Sequence, residues 1–183
     1  MKIIFSVILV LFTSVSQAQI TKVSLQASGL TCSMCSKAVK NALEKVSFVD
    51  KVSVDIKNQQ YNLSFKEASK IEIDQLSKAV QDAGFSVASL KVWASMPATK
   101  LEKDLHVKIG EETFHFLNAA SQTVSGAVIF SVVDKGFVSD KEVKKYAVMS
   151  TMACVKTGRM EKCCSSPSTA ATTSSTRIYH VVI

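Results

Sequence analysis

The sequence lacks most features that mark nucleic-acid-binding proteins and enzymes. Its net charge is +7, but Arg159 and Arg177 are the only arginines, and the lysines are scattered without an aromatic stacking motif. This pattern indicates a solvated lysine-rich surface and no nucleic-acid partner. A Ser-His-Asp arrangement, paired catalytic carboxylates and a phosphate-binding loop are all missing, so we predict that the protein is not an enzyme.

Long hydrophobic runs are missing as well. A membrane-spanning helix takes about 20 apolar residues, and no segment reaches that length. The apolar stretch Ile3 to Phe12 follows Lys2 and precedes the small-x-small sequence Ser16-Gln17-Ala18. This order predicts a signal peptide over 1–18, with a retained anchor as the alternative. We therefore expect a periplasmic or secreted protein with no stable membrane insertion after cleavage.

The five cysteines fall into two separate groups. Cys32 and Cys35 form a Cys-x-x-Cys pair, whereas the other three lie more than a hundred residues further along the chain. Because five is an odd number, at least one thiol in an exported chain is free, bound to metal or bridged to another molecule. The separation indicates two thiol sites rather than one disulfide framework.

The hydrophobic pattern of residues 20–94 predicts the order strand, helix, strand, strand, helix, strand. Alternation of apolar residues marks the strands, and apolar residues spaced by three and four mark the two helices. Gly84 stands where the second helix is expected to end. This order in a short segment favours a ferredoxin-like α+β sandwich, with both helices on one face of an antiparallel sheet.

Cys32 and Cys35 fall between the first strand and the first helix of this order. A helix N-terminus offers unpaired N–H groups and a partial positive charge, which favour the thiolate form that binds metal. Two thiolates without a nearby His or carboxylate suit Cu(I), and Hg(II), Zn(II) and Cd(II) are alternatives. A thiol-disulfide redox pair and a structural disulfide remain open, since both occur at this spacing.

Residues 20–94 resemble the heavy-metal-associated domain family of copper chaperones and copper-exporting ATPases. The resemblance rests on Gly29-Leu30-Thr31-Cys32-Ser33-Met34-Cys35 and on Ala83-Gly84-Phe85. It implies metal binding by the two cysteines, an aromatic neighbour in Phe85, and transfer to a membrane metal transporter or another metal-binding protein. Leu30 stands where the family usually has Met, a residue that packs and does not ligate. A single exported domain of this kind also resembles periplasmic mercuric-ion-binding proteins.

The remaining chain predicts a linker over 95–102 and a small mainly-β domain over 103–183, a barrel or a sandwich. Strands are expected around a hairpin turn at Gly110-Glu111, through Val124 to Val133, and at Ile178 to Ile183. Ser139 to Glu142 predicts the capping box of a short helix. A Ser/Thr-rich loop is predicted over 165–176. No family is recognised in this region.

Soft ligands cluster near the C-terminus. Thiolate and thioether both suit Cu(I), so a second metal site is one interpretation of the cluster. Its members are Met149, Met152, Cys154, Met160, Cys163 and Cys164. A disulfide from Cys154 to Cys163 or Cys164 is the alternative. His106, His115 and His180 lie singly in strand patterns, and we predict that they are surface residues.

The best hypothesis is an exported soft-metal-binding protein, a Cu(I) chaperone or buffer. A periplasmic thiol-disulfide oxidoreductase, a mercuric-ion-binding protein and a binding module with a lapsed metal site are the alternatives.

Overall fold

The computed structural model describes residues 18–160 and 176–183. Cys163, Cys164 and all but the last residue of both the predicted signal peptide and the Ser/Thr-rich segment lie outside these ranges. Among the helices of the described residues, none combines the length and the hydropathy needed to cross a bilayer.

The N-terminal half has the predicted order of elements. They are β1 (Gln19–Ser28), α1 (Ser33–Glu44), β2 (Val49–Asp55), β3 (Gln60–Phe65), α2 (Ile73–Asp82) and β4 (Ser86–Leu101). The strands lie in the order β2-β3-β1-β4, and every neighbouring pair is antiparallel. This confirms the ferredoxin-like arrangement.

The two helices bury their apolar faces in one core. Val39 and Leu43 of α1 and Leu76 and Val80 of α2 are fully buried in a single cluster with the inward residues of the strands. Full burial of such a side chain stabilises the fold by about 1.5–3 kcal/mol. This packing holds α1 against α2 and the sheet.

The predicted linker over 95–102 is wrong, because β4 continues through it as a strand of 16 residues. From Leu90 to Leu101 it pairs with a strand of the C-terminal half, and the register shifts between Met96 and Thr99. Pro97 lies within this shift. Proline cannot donate a ladder hydrogen bond, so it is tolerated where the pairing is interrupted. Pro97 therefore marks an irregularity inside a strand and not a linker between domains.

In the described part of the C-terminal half there are four more strands and two short helices. They are β5 (Leu105–Ile109), β6 (Glu112–Phe116), β7 (Gln122–Val132), α3 (Asp140–Ala147), α4 (Cys154–Thr157) and β8 (Ile178–Val182). The predicted hairpin is present as β5 and β6. The capping box of Ser139 and Glu142 starts α3 as predicted, since each side chain bonds to the backbone of the other.

These strands extend the first sheet instead of closing a barrel or forming a sandwich. The open sheet has eight strands in the order β2-β3-β1-β4-β7-β8-β6-β5. The last strand, β8, lies inside the sheet, antiparallel to β7 and parallel to β6. The prediction of a separate barrel or sandwich is wrong, because the second edge of β4 pairs with β7. The period of the apolar residues predicts a strand but does not show which strands pair.

Helix α2 also contacts the C-terminal half. Ser77 Oγ donates to the Gly136 carbonyl at 2.8 Å, and the Asp74 amide donates to the Tyr179 hydroxyl at 3.2 Å. Arg177 Nε donates to Asp74 Oδ2 at 3.0 Å. The two predicted domains therefore share one sheet and one core cluster.

The prediction that the three histidines are surface residues is wrong. His106 is 6% exposed, His115 0% and His180 2%. Alternation of buried and exposed positions holds only where one sheet face meets solvent, and β6 is buried on both faces from Thr113 to Phe116. The neighbouring Phe116 belongs to the main core, whereas His106 and His115 contact Cys154 of α4.

Candidate metal centre

The structure brings the predicted ligands Cys32 and Cys35 together at the start of α1. Cys32 is the N-cap of the helix, in extended conformation, and its Sγ accepts a hydrogen bond from the Cys35 amide at 3.4 Å. The two Sγ atoms lie 2.9 Å apart. The N-cap position and the first helical turn thus direct both thiols to one point, where one ion can contact both.

The surroundings favour the thiolate form of Cys35. The hydrogen bond with the Cys32 side chain lowers the pKa of the Cys35 thiol, and contacts with Thr31 lower it further against the opposing effect of burial. The first turn of α1 contains no acidic residue, so its positive end is not neutralised there. A lowered thiol pKa increases the fraction of the nucleophilic, metal-binding form at neutral pH.

A buried tyrosine fixes the helical turn that carries Cys35. Tyr61 on β3 is fully buried, and its hydroxyl lies 2.9 Å from Ser36 Oγ and donates to the Ser36 carbonyl at 3.2 Å. These bonds attach the first turn of α1 to strand β3. They preorganise the position of the neighbouring thiol before any metal arrives.

Phe85 is a neighbour of the cysteine loop, as the family resemblance implies. Gly84 has a φ of +86° after the end of α2, and the Phe85 amide donates back to the Val80 carbonyl at 3.1 Å. This helix termination reverses the chain. It brings Cδ1 of the Phe85 ring to 3.8 Å from the position that a Cβ would take on Gly29.

The thiols remain accessible from outside. Cys32 is exposed and Cys35 is half-buried. Met34, between them, is 70% exposed. Leu30 packs against the core, which agrees with a packing role for the residue at that position. A partner's thiols can therefore reach a metal ion held at this corner.

Comparison with known proteins identifies the first half of the chain. Residues 24–86 match the family of the heavy-metal-associated domain. The mercuric transport protein periplasmic component of Acinetobacter calcoaceticus is 37% identical over 90 residues, which are 49% of this chain and 97% of that protein. The chain belongs to the heavy-metal-associated domain family. Its residues 24–86 form a heavy-metal-binding domain of that family.

Other members of the family show how far the similarity extends. A copper-transporting ATPase of Helicobacter pylori is 32% identical over 65 residues, which are 36% of this chain and 9% of that protein. The crystal structure of oxidized MerP from Ralstonia metallidurans is 38% identical, covers 38% of this chain and 94% of its own, and has a TM-score of 0.34. No family matches the C-terminal region.

The predicted second cluster is brought together only in part. Cys154 and Met160 are buried in one small apolar cluster with Ile178, and Met152 packs against it. Met149 is half-buried and is not a member of that cluster. The predicted partners Cys163 and Cys164 lie outside the described residues, as does the proposed disulfide to either of them.

The structure adds two histidines to this cluster that the sequence did not predict as ligands. Cys154 Sγ lies 3.5 Å from His115 Nδ1 and 3.7 Å from His106 Nε2. The three potential ligand atoms all lie within 4.8 Å of one another, and all three residues are buried. Within residues 18–160 and 176–183 this is the one group of three or more such side chains. The presence of a histidine in each of three predicted strands was the one sequence feature that could have indicated these ligands.

A carboxylate orients the central histidine. His115 Nε2 lies 3.1 Å from Asp104 Oδ1, so Nε2 carries the proton and donates it. Burial lowers the pKa of His115 to about 4, with the neighbouring His106 adding to the effect. The ring is therefore neutral at pH 7, and its Nδ1 lone pair faces the sulfur of Cys154.

Proposed function

We propose that the protein is an exported carrier of a soft metal ion, which Cys32 and Cys35 bind and pass to a membrane transporter or another metal-binding protein. The observation that carries this proposal is the pair of accessible sulfur atoms 2.9 Å apart at a helix N-terminus. Two thiolates hold a soft ion at low coordination number, so a third thiol from a partner can attack before either bond breaks. This exchange moves the ion without releasing it to water.

The periplasm is the proposed location. The similarity to mercuric transport proteins of the periplasm supports it, as does the signal-like N-terminal sequence. We propose that the protein carries metal and does not catalyse a reaction, since the site offers thiols at the surface of the ferredoxin-like half.

Two cargo ions fit the site. Cu(I) is favoured by thiolate chemistry and by the similarity to a copper-transporting ATPase. Hg(II) is favoured by the similarity to several mercuric transport proteins, which are 37–41% identical. Equilibrium competition of the reduced mature protein with a Cu(I) chelator, and separately with a dithiol for Hg(II), ranks the two.

The test of the proposal compares the protein with its Cys32→Ser/Cys35→Ser variant. We expect one tightly bound ion that the variant loses, and transfer to a partner Cys pair that is faster than dissociation into chelator. Equal affinity of the protein and the variant would contradict the proposal. A reducible disulfide that turns over with a protein substrate, together with no metal retention, would favour a thiol oxidoreductase instead.

A further inference from the structure

We propose that His106, His115 and Cys154 form a second metal site, which holds a late first-row transition-metal ion inside the C-terminal half. The site is independent of the Cys32 and Cys35 pair and goes beyond the carrier function. It would hold its ion as a buried, resident metal.

The geometry places three different donors around one point. His106 and His115 face each other across β5 and β6, with ring centroids 4.2 Å apart and nearly parallel. Cys154, in the first turn of α4, approaches both rings from above the sheet, with sulfur–nitrogen distances of 3.7 Å and 3.5 Å. A metal ion bonds to imidazole at about 2.0 Å and to thiolate at about 2.3 Å. Small side-chain movements therefore suffice to bring the three atoms into one coordination sphere.

A carboxylate contacts His115 in the way that is usual for a metal-bound histidine. Such a histidine donates its other ring N–H to a carboxylate, which fixes the ring and its tautomer. Asp104 takes this role for His115 at 3.1 Å. Asp104 also has a φ of +62°, a conformation that costs energy in a non-glycine residue. The backbone is thus held in an unfavourable conformation at the residue that orients the ring.

A third histidine lies beside these two imidazoles. His180 lies next to His115 on β8, with ring centroids 5.2 Å apart. Its Nδ1 lies 2.6 Å from Asp134 Oδ1, which repeats the pairing of carboxylate and imidazole. Its Nε2 is buried without a hydrogen-bond partner among the described residues. A buried nitrogen without a partner costs about 1–3 kcal/mol in general, and a nearby ion or its ligand sphere would remove that cost.

The donors indicate the class of metal. Two neutral imidazoles and a thiolate suit copper and zinc, and do not suit Mg²⁺ or Ca²⁺, which prefer oxygen ligands. Met152 and Met160 pack in the same cluster as Cys154. A thioether beside a His₂Cys set is typical of copper sites.

The same side chains also resemble a Cys-His-Asp nucleophile. In that arrangement His115 would take the proton from Cys154, and Asp104 would orient the imidazole. However, Cys154 is 0% exposed, and a nucleophile must meet its substrate. A second imidazole, that of His106, also lies beside the sulfur. A metal site needs such a further ligand, whereas a catalytic triad has no role for it.

The test uses the full mature chain in the Cys32→Ser/Cys35→Ser background, reduced and then loaded with Co(II) alone or with Cu(I) alone. We expect one equivalent of either ion to be retained. Co(II) should give a sulfur-to-metal charge-transfer band in the near ultraviolet. Adding Cys154→Ala should abolish the band, whereas adding Cys163→Ser and Cys164→Ser together should leave it in place. Loss of the band only with the second pair would overturn the proposal.

Two further measurements guard against a Cys154 variant that fails to fold. X-ray absorption on the Cu(I)-loaded background protein counts ligands without a further substitution, and we expect two imidazoles with one thiolate sulfur. Asp104→Gly removes the carboxylate while glycine accepts the positive φ. We expect it to fold and to bind the metal about 10–100-fold more weakly. Sulfur ligation without imidazole, or unchanged affinity in Asp104→Gly, would overturn the proposal.

Discussion

Glu112 makes the stability of the fold depend on pH between about 4.5 and 7. It stands at the start of β6 and is half-buried. Burial, first of all, and then the negative charges of Asp74 and Glu72 raise the pKa of its carboxyl from 4.5 to about 7, against the opposing effect of Lys70 and Arg177. The folded protein therefore retains a proton at this carboxyl that the unfolded chain has already lost.

The sign of the effect follows from this difference in proton binding. Below pH 4.5 both states are protonated at Glu112, so the group contributes no pH dependence. As the pH rises towards 7, the unfolded state gains the free energy of ionisation and the folded state does not. The shift from 4.5 to about 7 corresponds to at most about 3 kcal/mol, and solvent contact reduces this value. Stability is thus lost between pH 4.5 and 7.

The Glu112→Gln variant isolates this contribution. His115 has the opposite effect in the same window, because its lowered pKa makes the folded state resist protonation as the pH falls. Both proteins contain His115, so its contribution cancels when the unfolding free energy of the wild type is subtracted from that of the variant. We expect this difference to rise by 1–3 kcal/mol, an order-of-magnitude range, between pH 4.5 and 7 and to level off near pH 8.

Urea denaturation of both proteins at half-unit pH steps measures the difference. Glu111→Gln is the matched control, since it removes the same charge from the adjacent residue, whose side chain is 66% exposed. A flat difference for Glu112→Gln would show that burial does not raise the pKa of this carboxyl. So would a rise of equal size in Glu111→Gln, because net charge rather than burial would then be the cause.

Three further predictions concern the surroundings of Cys32 and Cys35. Tyr61→Phe removes both hydrogen bonds to Ser36 and should lower the free energy of unfolding by about 1 kcal/mol in urea denaturation. Gly29→Ala should cost about 1 kcal/mol by the same assay, because Gly29 has a φ of +85°. Cys32→Ala removes the hydrogen bond that lowers the pKa of Cys35, so alkylation of Cys35 at pH 7 should slow.

Each of these predictions has its own contradicting result. Wild-type stability in Tyr61→Phe would show that the tyrosine does not anchor α1. A cost well above 2 kcal/mol in Gly29→Ala would show a steric clash, although the new Cβ would meet Phe85 only at 3.8 Å. An unchanged alkylation rate in Cys32→Ala would place the cause of the pKa shift elsewhere.

Local sequence patterns are enough to predict the N-terminal half and its thiol site. The alternation of Val23 and Leu25, followed by apolar residues at helical spacing, sets elements that need only local information. Cys32 and Cys35 are three residues apart, so a helix start is enough to bring them together. Gly84 likewise signals its own positive φ, because few other residues adopt it.

The arrangement of the second half depends on tertiary contacts that local patterns do not reveal. The pairing of β4 with β7, and the place of β8 between β7 and β6, depend on contacts between strands far apart in sequence. The same holds for the inner cluster, since Cys154 lies 48 residues from His106 and 39 from His115. Period-2 alternation shows which residues share a strand face, but what covers that face is decided by the rest of the chain.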